Sequence, residues 1–425
     1  MRRIRASGLF LAAIFVAGVL PGRLEAQQAS RAQALIEEHL YGGTLEAGEK
    51  ALRDLVTGTP SDAEAQFALG GVMLVRAVER FGRSLYRHGM QAPRDPTLGP
   101  PLFTLPLPFN PSPEPLSYEA LRVILAKLVQ DLDAAETELA RVGDRPVKLT
   151  VDIARIRLDL DGNGVAGESE KLSSMVTSLA WAARRRGGAP AGAESFPVGF
   201  DLADVYWLRG YANLMATSAE FLLAHDFRAT FDATFHLLFP RAGLQFSRLL
   251  KEPEPERPGQ FPRVDLDPIF DFIAFIHLLH WDVVEPQRMA SIHGRLKSVI
   301  ALNRKTWDAV RAETDNDNEW LPGPNQKGVL DLPVTEDMIT SWLAALDELE
   351  AVLDGRLLAP HPRFKRGINV KRVFTEPRPF DLILWITGHG VLPYLEDGPL
   401  LEGRAWNNAQ RVFRGQIFSY AFWFN

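Results

Sequence analysis

The stretch from Asp159 to Glu170 reads DLDGNGVAGESE. Acidic and amide side chains interleaved with glycines suit a loop that gathers oxygen atoms while it turns. Hard-cation binding is the chemistry that needs such a loop, because calcium takes roughly six to eight oxygens and tolerates irregular geometry. Without a cation those carboxylates repel one another, so an ion and the loop conformation would stabilise each other. The plainer alternative is an asparagine-glycine turn carrying incidental acids.

The same residues resemble the EF-hand calcium loop at every position that the motif specifies. The resemblance covers residues 159–170 alone. It implies Asp159, Asp161 and Asn163 as side-chain ligands, with Gly164 at the left-handed turn and the Val165 carbonyl as a further ligand. A water near Gly167 and a bidentate Glu170 would complete the shell, and calcium is the cofactor expected. An outgoing helix would set Leu172, Met175, Val176 and Leu179 on one face. The incoming VDIARIRL fits two periods, a helix through Ile153, Ile156 and Leu160 or an alternating strand. Ala166 is small for the position that pairs with a second hand, and the chain holds no full second hand.

A second acidic run, DNDNEWLPGPN, sets Asp315, Asp317 and Glu319 at alternate positions, which would aim three oxygens one way in an extended turn. Trp320 stands where the EF-hand loop wants glycine, and Gln326 where it wants glutamate. The run reads as a calcium site of another shape or as a solvated acidic turn. In IHLLHWD, His277 and His280 are three apart, with Asp282 and Glu285 just beyond and His293 on the next helix. Imidazole and carboxylate together suit zinc or iron, but the spacing is not HExxH and the apolar neighbours read as core. His389 lies in a GHG turn with no partner assignable from sequence. There is no nucleophile elbow, no cysteine, no phosphate-binding loop and no dinucleotide fingerprint.

The elements that would carry these residues are mainly α. Helical periodicity marks Ala29–His39, Leu45–Val56 and Asp62 to about Arg87, then Tyr118–Val142, Asp201–His225, Ala229–Phe239, Pro268–Trp281, Gln287–Glu313 and Glu336–Leu353. Val370–Phe374 and Leu382–Ile386 read as short strands, and the terminal AWNNAQRVFRGQIFSYAFWFN as a helix giving way to an extended, buried end. Around GTPSDAEAQFALGG, the positions of Pro60, Ala63, Ala65, Phe67, Leu69 and Gly70, followed by Gly82 and Tyr86, resemble a junction between tetratricopeptide repeats over residues 29–90. The resemblance lacks a turn between Val75 and Phe81; an ordinary helical hairpin packed through small residues reads equally well. The fold expected is a multi-helix bundle or a short α-solenoid with a few short strands near the C-terminus.

Residues 1–26 have the basic start, apolar run and PGRLEA end of a cleaved export signal. Residues 27–183 then form an N-terminal helical region, 184–200 a linker and 201–425 a C-terminal helical region. The proline-rich Gln91–Pro115 reads as extended chain draped over a surface. The net charge of −6 argues against nucleic acid, which calls for a basic face. Loss of residues 1–26 removes four arginines and one glutamate, so the mature chain is more acidic still. No later run is apolar enough to span a bilayer. The expected role is an exported, soluble, calcium-stabilised binding or scaffolding protein, in a periplasm or outside the cell, with an unidentified protein partner. The competing classes are a metal-dependent hydrolase or other envelope enzyme using His277, His280 or the Asp315 cluster, and a tetratricopeptide-like adaptor.

Overall fold

A computed structural model describes residues 30–92, 101–172, 195–249, 267–330 and 332–424. Residues 1–26, expected as an export signal, most of the expected helix after the acidic loop, and the expected linker stretch 184–194 lie outside them.

Oxygen-bearing caps start the long helices. Ser30 accepts a hydrogen bond from the Gln33 amide at 3.2 Å, Asp62 from Ala65 at 2.9 Å and Ser117 from Ala120 at 3.1 Å. Each satisfies an amide that the first helical turn leaves without a partner. In chain order the helices are α1 (Arg31–Gly42), α2 (Leu45–Gly58), α3 (Ala63–Arg87), α4 (Tyr118–Ala140), α5 (Leu202–Ala224), α6 (Arg228–Thr234) and α7 (Asp267–Leu278). They continue with α8 (Pro286–Ala312), α9 (Glu336–Leu353), α10 (Val370–Thr375), α11 (Leu382–Ile386), α12 (Arg404–Val412) and α13 (Ile417–Phe424). Of the described residues 59% are helical, and the strands are short, so the mainly α class holds.

β1 (Leu149–Asp152) pairs antiparallel with β2 (Pro197–Phe200), Leu149 opposite Phe200 and Asp152 opposite Pro197. The linker's last residues are thus a strand of the N-terminal region's ribbon. β3 (His225–Asp226), β4 (His280–Val283) and, later, β6 (Phe380–Asp381) form one small sheet in the order β3-β4-β6; β5 (Gly367–Ile368) pairs with β7 (Leu395–Glu396).

The long helices stack as a row, α1 on α2, α2 on α3, α3 on α4, α4 on α5, α5 on α8, α8 on α9 and α9 on α12. α3 runs unbroken for 25 residues where a tetratricopeptide repeat would turn. Its small residues allow close approach: a Cβ on Gly70 would lie 2.6 Å from Leu139 of α4, and one on Gly82 2.7 Å from Leu160 of the acidic loop. The largest core cluster runs from Leu74 and Phe81 of α3 through α4 to Ala216, Phe231 and Trp281, so one core spans both sides of residues 184–200. The proline-rich connector contributes to it, since Phe103 is fully buried against Phe235 and Phe239. A second cluster joins α1, α2 and β1 to Ile156, Leu158 and Leu160.

Three C-terminal expectations are corrected. Val370–Phe374 and Leu382–Ile386 are helical, because Asn369 accepts from the Arg372 amide and Asp381 from the Leu384 amide, and such caps turn a β-branched run into a helix. The extended end is also absent: after a break at Arg414 and Gly415, both with positive φ, the chain re-enters a helix as α13. The burial expected of this end is found, with Phe424 wholly enclosed beside Trp307 and Trp342.

Candidate metal centre

The acidic loop leaves β1 through a short 3-10 turn, Ile153–Arg155, and an extended stretch, so its incoming flank is neither a regular helix nor one continuous alternating strand. Its ends are tied together. The Leu158 amide donates to the Glu170 carbonyl at 3.1 Å, and the Leu172 amide to the Ile156 carbonyl at 2.8 Å. Between these ties the chain bends around its own side chains. Asp159 Oδ1 accepts from the Gly162 amide at 2.9 Å and Oδ2 from the Gly164 amide at 3.1 Å. Asp161 accepts from the Asn163 amide, and Asn163 from that of Val165. Gly162 and Gly164 take left-handed φ of 75° and 85°, which a side chain would strain.

Glu170 reaches back across the loop. Its Oε1 accepts from the amides of Leu160 and Asp161 at 2.8 and 3.1 Å, its Oε2 from Gly167 at 2.8 Å. The result is that one oxygen each from Asp159, Asp161 and Glu170 lie within 4.8 Å of one another. Asp159 and Glu170 are buried and Asp161 half-buried. Each oxygen has more than one lone pair, so an amide contact leaves room for a cation. Asn163 adjoins the group through its amide, which donates to Asp161 Oδ2 at 2.8 Å, whereas Val165 carries a side chain exposed to solvent. Ala166 is buried against Gly43 at the turn between α1 and α2.

Two residues not singled out from sequence lie beneath the loop on α3. Arg83 donates to Asp159 Oδ2 at 2.9 Å and to the Asp159 carbonyl at 3.0 Å, while Glu79 Oε2 accepts from the Asp159 amide at 3.0 Å. Burial pushes the Glu79 carboxyl up, and burial together with the charges of Asp161 and Glu170 does the same to the Tyr86 phenol. The available signal was phase: Glu79 and Arg83 are one turn apart on a helix whose buried positions are mostly apolar, Gln66 and Arg76 being the other polar ones.

The second acidic run does not aim its oxygens one way. Asn318 has a φ of 61°, and this left-handed residue breaks the alternation. Asp315 and Asp317 face outward and both pair with Lys148, while Glu319 is buried on the other side. There Glu319 meets Asp201 and Glu313, carboxylate oxygens again within 4.8 Å, with the fully buried Asp204 alongside. Asp201 caps α5, where the helix dipole favours negative charge; Glu313 sits at the opposite, unfavourable end of α8. Burial and the nearby Asp201 push the Glu313 carboxyl up to about 8. Burial raises Asp201, Asp204 and Glu319 as well. The buried Glu313 Oε1 has no donor while both acids are ionised, and a proton shared with Asp201 supplies one. Burial and mutual repulsion therefore favour protonated carboxyls in this cluster.

The histidines are dispersed. α7 ends at Leu278, which leaves His277 on the helix and His280 in β4, where its Nδ1 lies 2.9 Å from Asp381. Asp282 is in the same strand, Glu285 pairs with Arg122 and Arg288, and His293 bonds the Leu353 carbonyl. His389 is exposed near the end of α11. Among the described residues no histidine joins a metal-capable cluster. No protein-family model, curated protein or solved structure matches this chain, and the loop's own geometry is what bears on its chemistry.

Proposed function

We propose that the protein is a calcium-stabilised binding or scaffolding protein, exported to a periplasm or beyond, with calcium held by Asp159, Asp161, Asn163, the Val165 carbonyl and Glu170. The observation that carries this reading is the convergence of the Asp159, Asp161 and Glu170 carboxylates on one point of a loop with glycine at both left-handed positions. An all-oxygen, acid-rich set suits calcium over zinc or iron. At the millimolar calcium of extracellular fluid, a site with Kd of about 10⁻⁴ M stays filled, which makes the ion structural and not a switch. The dispersed histidines give the hydrolase alternative no support.

A metal that binds only the native state raises stability as its concentration exceeds Kd. The melting temperature should therefore rise when calcium replaces chelator, by roughly the equivalent of 2.7 kcal/mol at a hundredfold excess over Kd. Asp161→Asn is the sharpest variant. Its carboxylate serves only the neighbouring Asn163, so an amide keeps the backbone bond that makes the turn, gives up the exposed side-chain bond to Asn163 Nδ2, and removes a ligand charge. The variant should match wild type in chelator and lose most of the calcium increment. A calcium response left intact in both Asp161→Asn and Glu170→Gln would place the ion elsewhere.

A further inference from the structure

Soluble helices turn their apolar stripe inward, and α7 does the reverse. Ile269, Phe272 and Ile273 recur at the spacing of one helical face, and with Phe270 they are 49–59% exposed. α11 packs against α7, its first amide bonded to the Leu279 carbonyl at 3.0 Å, and adds the exposed Ile383, Leu384 and Ile386, the last at 65%. Seven large apolar side chains on two touching helices are far more than the scattered exposure of an ordinary surface.

The charge beside this patch is opposite to that of the chain. α7 itself carries Asp267 and Asp271 and no Lys or Arg, but between residues 361 and 391, around α11, there are six Lys and Arg against two Asp and Glu, in a protein of net charge −6. Arg363 donates to the Thr387 carbonyl just beyond Ile386, which docks the basic loop on the end of α11. Lys365, close by in that loop, and Arg378, in the segment leading into α11, are exposed. Arg366 is held by Asp397, Arg372 by Glu376 and Glu396, and Asp381 by His280, which among the described residues leaves Arg363, Lys365, Lys371 and Arg378 outside any ion pair. No helix among the described residues is long and apolar enough to cross a membrane. An apolar face with a cationic rim is instead the form of an element lying in the plane of a lipid surface.

We propose that α7 and α11 form the face by which this protein lies on an anionic lipid bilayer, with Ile269, Phe270, Phe272, Ile273 and Ile386 entering the acyl boundary and Arg363, Lys365 and Arg378 against the headgroups. The cationic rim selects lipid over a second copy of this chain, whose matching face would oppose like charges. The inference is independent of the calcium reading, and its test is run in chelator so that calcium cannot bridge protein to lipid.

The protein recovered from its host is sedimented with vesicles of phosphatidylcholine containing about one third phosphatidylglycerol, and with phosphatidylcholine alone. Wild type should bind the anionic vesicles and release from them in high salt. Phe270→Asp with Ile273→Asp should weaken binding about tenfold or more, and Lys365→Gln about fivefold. Ile386→Asp is the second apolar variant should the α7 pair fail to fold. All are substitutions of exposed side chains, so circular dichroism should be unchanged. Each variant is compared with wild type carrying the same amino terminus, which removes residues 8–20 from the comparison. The proposal is overturned if wild type ignores anionic vesicles, if the apolar variants bind as wild type does, or if light scattering finds a dimer that Phe270→Asp dissociates.

Discussion

Asp201 and Glu313 are a pair that solvent-exposed carboxylates would not form. A carboxyl whose pKa folding raises binds its proton more tightly in the native state than in the unfolded chain. Its contribution is complete below the unfolded value of 4.5 and lost as pH rises through the folded value of about 8. Melting temperature should therefore fall as pH rises from 4.5 to about 8, as the Asp201–Asp204–Glu313–Glu319 cluster is forced to ionise. Glu313→Gln keeps an acceptor for the Gln326 amide, 3.1 Å away, and removes the charge. It should flatten the fall and raise the melting temperature at about pH 9 by roughly 2 °C. A fall of equal size in the variant would remove the cluster as its cause. Of these four residues only Glu319 was singled out from the sequence, and with the wrong companions. Asp159, Asp161 and Glu170 were legible because one loop supplies all three. Asp201 and Glu313 belong to the ends of two different helices, and no local spacing links them.

Boundaries of the long helices were legible because apolar period and cap agree there; α5, α8 and α9 lie within a few residues of their expected limits. The short C-terminal segments were not, because two turns of apolar residues have no period to speak of, and the caps at Asn369 and Asp381 decided the outcome. At this scale the adjacent glycines of α3 give opposite expectations. Gly71 has nothing within 4 Å of the point where a methyl group would stand, and it borders an apolar cleft of about 180 Å³. Gly71→Ala should therefore stabilise by up to about 1 kcal/mol through helix propensity. Gly70→Ala would drive a methyl to 2.6 Å from Leu139 Cγ and 3.0 Å from the Leu139 amide nitrogen, costing about 1–3 kcal/mol. Denaturant midpoints of the two variants, moving in opposite directions, would verify the α3–α4 contact. Midpoints that move together would show that the helices stand further apart.

At the scale of the whole molecule, the sequence divides at residues 184–200 while the core does not. Composition marks a stretch of arginine, glycine and alanine as a boundary, but says nothing of contacts made by the chain on either side. Limited proteolysis should cut first within Arg184–Glu194. The nicked halves should nevertheless elute together at the intact size, because β1 pairs with β2 and α4 packs on α5 across the cut. Separation of the fragments without denaturant would count against the shared core. The salt bridge between Arg83 and Asp159 has a consequence on the same scale. Loops that gather carboxylates usually depend on an incoming ion to hold their shape. Here helix α3 carries a tethered counter-ion into the loop, and the backbone amides around Glu170 complete the neutralisation. The loop's fold therefore does not wait on an ion. Under the calcium reading proposed above, an arriving ion would displace the Arg83 guanidinium from Asp159 and find the loop already shaped to receive it.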